Sequence, residues 1–182
     1  EMSLETMTEV KKDAEEARKE LEKLKRDLSK NRQKMDWQDQ QKAQQLLKNY
    51  EQIRKKLAEA EQALKDNVRT MQDNKVLSPE TMEKFQELQQ LMQEINSPEL
   101  ADALKRMQDA MQQMNPDMMR QALTSFQFSE ENFRKGIERT LNLLKRIQAE
   151  QKLDELSRRV DEMRKQQEEA KQGLEDAGGK PD

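Results

Sequence analysis

The sequence predicts an all-α protein, specifically an antiparallel long-helix coiled coil with three short helices at the turn. Charged residues make up 39% of the 182 residues and apolar residues 32%, while Gly and Pro number four each. That composition is typical of coiled coils and other long helices. Apolar residues also recur at alternating steps of three and four, the spacing of a heptad seam. Finally, Ser-Pro and Asn-Pro pairs mark helix starts in the middle of the chain.

Two long helices are predicted first, an N-terminal coiled-coil helix in residues 1–35 and a second in residues 36–76. The second is expected from Trp37 to about Asp73. Their seams differ by one residue in register, which turns the apolar face by about 100°. Asp36 is a good N-cap residue, so a break or kink is predicted there. The first seam is Met7, Val10, Ala14, Ala17, Leu21, Leu24 and Leu28; the second is Ala43, Leu46, Tyr50, Ile53, Leu57, Ala60 and Leu64.

Residues 77–128 are predicted to form a knot of three short helices, near 79–95, 98–113 and 116–126. Each start combines an N-cap residue, a proline at the first helical position and an acid that suits the helix dipole. The three starts are Ser78-Pro79-Glu80, Ser97-Pro98-Glu99 and Asn115-Pro116-Asp117. We interpret them as structural signals rather than chemical ones.

A final long helix is predicted in residues 129–176, capped by Ser129 and followed by a linker in residues 177–182. At 1.5 Å per residue it would be about 70 Å long, against about 55 Å for the second helix. Antiparallel pairing of these two long helices is predicted, with the knot at their turn. The seam of the final helix is Phe133, Ile137, Leu141, Leu144, Leu153, Leu156, Val160, Met163, Ala170 and Leu174.

The composition excludes most catalytic chemistry. Cys and His are both absent, which removes disulfides, thiolate nucleophiles, His-based catalysis and the usual zinc ligands. Carboxylates lie beside Lys or Arg at helical spacing, as in surface ion pairs. We therefore predict no enzyme, no catalytic residue, no cofactor and no metal site. The net charge is −3 and charges of both signs are interleaved, which argues against binding to nucleic acid. No run of residues approaches the roughly 18 apolar residues of a membrane span.

A methionine stripe supplies the candidate partner-binding residues. Methionine is flexible and polarizable, so Met-rich surfaces accommodate varied partner helices. The stripe is predicted mainly as core, with a partially open partner groove or a thioether site for Cu(I) as alternatives. Burial of the stripe would favour a spacer, whereas an exposed apolar patch larger than a few hundred Å² would favour a client binder. The candidates are Met107, Met111, Met114, Met118, Phe126 and Phe128.

Several strings in the chain are distinctive in combination. They are Leu24 to Leu47 with Lys34-Met35-Asp36-Trp37 at its hinge, Leu77-Ser78-Pro79-Glu80, Ser97-Pro98-Glu99-Leu100, and Glu138-Arg139-Thr140-Leu141 leading into Gln148 to Leu156. Together they resemble the helical region of a family of large, membrane-anchored bacterial proteins of unknown function. The resemblance covers most of the chain. It implies an extramembrane piece of a cell-envelope protein, without a catalytic residue or an established activity.

The expected function is therefore a non-catalytic coiled-coil scaffold, spacer and protein-interaction segment of a larger bacterial envelope protein. The alternative is a chaperone-like binder of client helices through the Met-rich middle segment. The expected partners are proteins, a second copy of this chain among them, with no nucleic acid and no direct insertion of this segment into a membrane.

Overall fold

The structure, a computed structural model, describes residues 4–30, 35–73 and 78–178, with the side chains of Gln72 and of residues 174–178 left out. Of the described residues, 95% are helical and none forms a strand, so the all-α class is confirmed. The helices are α1 (Leu4–Lys30), α2 (Trp37–Asp73), α3 (Pro79–Ile95), α4 (Pro98–Gln112) and α5 (Pro116–Gly178). The chain divides into two compact units, Glu1–Leu144 and Lys145–Asp182.

The predicted break before Trp37 is confirmed, because Met35 and Asp36 are not helical. The Oδ1 atom of Asp36 accepts a hydrogen bond from the Asp39 amide at 2.8 Å, and Oδ2 of Asp39 accepts one from the Asp36 amide at 3.4 Å. This reciprocal arrangement is a capping box with aspartate in place of the more usual glutamate. It satisfies two backbone donors at the start of α2.

The three predicted proline starts are also confirmed. Ser78 Oγ accepts from the Thr81 amide at 3.2 Å, and Ser97 Oγ accepts from the Leu100 amide at 3.4 Å. Asn115 Oδ1 accepts from the amides of the second and third residues after it, at 3.0 and 3.1 Å. Each cap therefore supplies an acceptor to an amide that has no intrahelical partner.

The predicted boundary at Ser129 is wrong, because α5 is one helix from Pro116 to Gly178. No Pro or Gly occurs between Asp117 and Lys135, so nothing interrupts the backbone ladder there. In the described part of the chain, two short helices are therefore present instead of three, and residues 116–128 belong to the long helix. Of the predicted linker, Ala177 and Gly178 are helical, and residues 179–182 lie outside the described residues. Buried residues continue at steps of three, four and seven through the predicted boundary, at Met119, Leu123, Phe126, Phe133 and Ile137.

Within Glu1–Leu144, α1 and α2 form an antiparallel hairpin. Polar contacts pair rising positions of α1 with falling positions of α2. They are Glu9–Lys56 at 2.7 Å, Glu20–Asn49 at 2.7 Å and Asp27–Lys42 at 2.7 Å. The break at Asp36 thus reverses the chain direction.

The first part of α5 is antiparallel to α1 as well. Arg120 Nη1 donates to the Leu28 carbonyl at 3.3 Å, Lys25 contacts Gln127, and Lys11 lies 3.8 Å from Glu138. Because α1 runs antiparallel to both α2 and α5, those two helices run in the same direction. The predicted antiparallel pairing of the second and last long helices is therefore wrong.

The two short helices explain this direction. Asn96, between α3 and α4, accepts from Arg54 of α2 at 3.3 Å, and both short helices contact α2. Together they carry the chain back along α2, so that α5 starts near the end of the bundle where α2 also starts. They form a broken return helix rather than a knot at a turn.

Gly136 of α5 permits a close contact with α3. A Cβ atom placed on Gly136 would lie 2.6 Å from Cγ1 of Ile95, closer than two carbon atoms can approach without a shift. Ile95 is the last residue of α3 and is buried. The glycine thus costs helix propensity but allows α3 to end directly against α5.

We predict that Gly136→Ala lowers the free energy of unfolding by about 1–3 kcal/mol, the usual effect of overpacking. Gly173→Ala is the matched control, because no atom lies within 4 Å of its added Cβ. It should stabilise the helix by about 1 kcal/mol, because Ala has a higher helix propensity than Gly. Circular dichroism during thermal unfolding measures both. Equal stabilisation by the two changes would show that the contact with Ile95 relaxes freely.

We also predict that Ser97→Ala lowers the free energy of unfolding by about 1 kcal/mol, because the Leu100 amide loses its acceptor. Ser157→Ala, at an exposed position inside α5, should be neutral or slightly stabilising, since Ala is the better helix former. Chemical denaturation of the two variants provides the comparison. A loss at Ser157 as large as that at Ser97 would contradict the capping role.

Candidate interaction surface

The predicted methionine stripe does not form one surface. Met107 is fully buried, and Met111 and Met118 are half-buried. Met114 is 51% exposed, and its φ of 49° places it in the left-handed region at the turn between α4 and α5. That turn separates the stripe into two helices, as the proline at residue 116 requires. The stripe is therefore partly core and partly turn.

The two candidate phenylalanines have opposite environments. Phe126 is fully buried and packs edge to face on Tyr50, with ring centroids 4.8 Å apart and planes at 81°. Tyr50 also meets Phe133 at 6.2 Å. Phe128 is 72% exposed. Phe126 thus anchors the core, and only Phe128 is accessible to a partner.

Phe128 lines an open groove of about 680 Å³ between the α3–α4 junction and α5. The other lining side chains are mostly polar or charged, among them Glu94, Asn132, Lys135 and Arg139. Glu94 and Arg139 face each other across the groove at 3.5 Å. A single apolar ring among such groups offers little apolar area to a docking helix.

A group of buried polar atoms lies within the same unit. Tyr50 Oη, Glu130 Oε1, Arg134 Nε and Thr140 Oγ1 are buried and have no hydrogen-bond partner among the described residues. Burial raises the pKa of the Glu130 carboxyl above its ordinary value, and the cations of Arg18 and Arg134 counter that rise only in part. These groups interrupt an otherwise apolar core, and none of the four lines a described groove.

The largest exposed apolar feature lies in Lys145–Asp182. Leu153 is 66% exposed, Leu156 57%, Val160 48% and Met163 59%. Their steps of three, four and three place them on one face of α5, and Ala170 continues the face one heptad beyond Met163. Every side chain described between residues 151 and 173 is exposed. We call Leu153, Leu156, Val160 and Met163 the C-terminal stripe.

The sequence predicts the C-terminal stripe as part of a buried seam, but its side chains are exposed, so that prediction is wrong. Two signals could have identified it. Leu153 follows Leu144 by nine residues, a step that alternating threes and fours do not produce. The last predicted helix was also longer than the helix expected to cover it. Leu174, the last residue of that seam, lies outside the described side chains.

No family model, no curated protein and no solved structure matches this chain. The resemblance to membrane-anchored bacterial proteins therefore stays an expectation. Among the described residues, no helix is long and apolar enough to cross a bilayer, and no cluster of three or more acidic side chains is arranged to hold a metal ion.

We predict that Glu130→Gln raises the melting temperature at pH 7, because Gln avoids burying a carboxylate. Because its pKa is raised in the folded state, this carboxyl favours folding at pH values below its ordinary pKa of 4.5. That contribution is lost as pH rises through the folded-state pKa. The variant's advantage should therefore shrink as the pH falls towards 4.

Glu131→Gln is the matched control for this experiment. Glu131 is exposed and pairs with Lys135 at 2.7 Å, and this partner lowers the pKa of the carboxyl. Its contribution to folding is present above the ordinary pKa and lost as pH falls, so the control should be neutral or slightly destabilised at pH 7. If Glu130→Gln lowered the melting temperature at pH 7 more than the control, Arg18 and Arg134 would outweigh the burial.

Proposed function

We propose that this chain is a non-catalytic coiled-coil scaffold, spacer and protein-interaction segment of a larger bacterial envelope protein. The C-terminal stripe is the single observation that carries the proposal. The envelope location is supported by the family resemblance in the strings around Asp36, Ser78 and Ser97.

The energetics of the stripe favour an interaction role. Burying apolar surface contributes about 25 cal/mol per Å², and a stripe of two residues in seven fits the seam of one partner helix. Large apolar side chains at a and d positions gain no free energy from exposure to water. In the described part of the chain, seven large apolar side chains are exposed, and four of them form this stripe.

The alternative, a chaperone-like client binder, receives less support. It requires a contiguous exposed patch in the Met-rich segment. Met107 is buried there, and Met111 and Met118 are half-buried, which leaves Met114 and the separate Phe128 as the exposed members. These two offer isolated contacts rather than a groove for a client helix.

The proposal predicts where a partner contacts the chain in cells. A photo-crosslinking amino acid at position 156 should form protein adducts in cells that make the parent protein. The same amino acid at position 165 is the control, since Lys165 is exposed on the same helix but outside the stripe. Leu156→Gln combined with Val160→Gln should leave the melting of the bundle unchanged, because both residues are exposed.

The same assay separates the two candidate functions. Adducts from position 156 that exceed those from position 165 support the scaffold proposal. Adducts that form only from positions 114 or 128 would favour the client binder. Equal crosslinking from positions 156 and 165 would refute a role for the stripe.

A further inference from the structure

The charges beside the C-terminal stripe define what partner fits it. With Leu153 and Val160 at heptad position a, and Leu156 and Met163 at position d, the flanking e and g positions are fixed. From Lys152 to Gly173 there are seven of them, and they hold four cations and no acid. The seven are Lys152, Ser157, Arg159, Arg164, Gln166, Lys171 and Gly173.

The acids of the same segment lie elsewhere on the helix. Six of them occupy positions b and c, which face away from the partner in a two-stranded coiled coil. Glu150, at the preceding flanking position, comes before the first stripe residue. The e and g positions beside the apolar face thus carry cations only, whereas the opposite side mixes these acids with Arg158 and Lys165 at f. The six are Asp154, Glu155, Asp161, Glu162, Glu168 and Glu169.

We infer that the stripe binds an amphipathic helix of another protein that carries Asp or Glu at the positions flanking its apolar seam. The inference rests on the proposed function and names its partner class. In coiled coils, charges at e and g select the partner and its orientation. Four cations without an acid select strongly against a basic partner and in favour of an acidic one.

A second copy of the chain fits this surface less well. In a parallel pair, a g residue faces the e residue five positions later on the other helix, so Arg159 would face Arg164 of the second copy. An antiparallel pair with Leu156 opposite Val160 would bring the two Arg159 side chains together. Like charges in these positions destabilise pairing.

A membrane surface also fits less well. Helices that lie on bilayers carry a broad apolar face and a polar face rich in Lys and Arg. Here the apolar face is two residues in seven, and the opposite face carries six acids, which anionic lipids repel, against two cations, Arg158 and Lys165.

Arg159 makes no contact within the chain that would prevent it from pairing with a partner carboxylate instead. It pairs with Glu155 one turn earlier at 2.6 Å, but both side chains are more than 60% exposed. Exposed pairs of this spacing are weak. A carboxylate on a partner helix can therefore replace Glu155 at little cost.

Two synthetic peptides of three heptads test the inference on the full chain. Both have Leu at a and d; one has Glu and the other Lys at every e and g position. Fluorescence anisotropy measures their affinities. The Glu-flanked peptide should bind at least about tenfold more tightly, the sum of several weak charge pairs, and the difference should shrink as salt is added.

Paired charge reversals provide the matched control. Arg159→Glu with Arg164→Glu should abolish the peptide preference, because the two new acids offset the two remaining cations, Lys152 and Lys171. Arg158→Glu with Lys165→Glu makes the same change in net charge at f positions and should leave the preference unchanged. Equal effects of the two double variants would overturn the inference, because only net charge would then matter.

The remaining outcomes distinguish the inference from the function on which it rests. Equal binding of both peptides, lost in Leu156→Gln with Val160→Gln, would overturn the acidic partner and leave the interaction role standing. Failure of that variant to change any binding would overturn both. Sedimentation that shows pairing of copies through the stripe, or binding to phosphatidylglycerol vesicles in place of the Glu-flanked peptide, would also overturn the inference.

Discussion

The apolar seams of this chain are narrow, and each can be buried only by another helix. A seam of two or three residues in seven can be removed from water only by packing against another helix, and the whole chain is only 32% apolar. Within Glu1–Leu144 the seams of α1, α2, the two short helices and the first part of α5 bury one another. Their inward residues, from Met7 to Leu144, are almost entirely excluded from water. In Lys145–Asp182 the stripe from Leu153 to Met163 has no such cover.

Helix starts could be predicted from sequence because they are local. Ser78, Ser97 and Asn115 each stand before a proline, and the proline removes a donor and fixes φ. Ser129 stands before Glu130 instead, so its neighbours also suit a helix interior. Because α5 continues through Ser129, residue 130 falls on the inward face rather than in an exposed first turn. Of the four starts predicted at a Ser or Asn cap, the incorrect one is therefore the one without a proline.

Helix pairing could not be predicted in the same way. Every seam here has the same three-four spacing, so each is compatible with every other. The direction of α5 follows from the return of α3 and α4 along α2, whose junction lies beside Arg54, the donor to Asn96. It also depends on Gly136, which lets Ile95 end against α5. Neither contact affects the spacing of apolar residues in the sequence. The C-terminal stripe was visible as a seam, but the spacing of its residues does not say whether another helix covers it.

The buried polar atoms give the bundle a preferred register. A core of Leu, Met and Ala alone would tolerate shifts by a heptad, since such side chains replace one another at low cost. Tyr50 lies against Phe126 and Phe133, while Glu130 is buried between those two phenylalanines in sequence and feels the cations of Arg18 and Arg134. A shift of α5 by one heptad would move Phe126 away from Tyr50 and the Glu130 carboxyl away from the cation of Arg18 on α1. An unpaired buried charge is costly, so a register that moved this carboxyl away from the Arg18 cation would be disfavoured. Polar groups at single core positions fix register in coiled coils by this means.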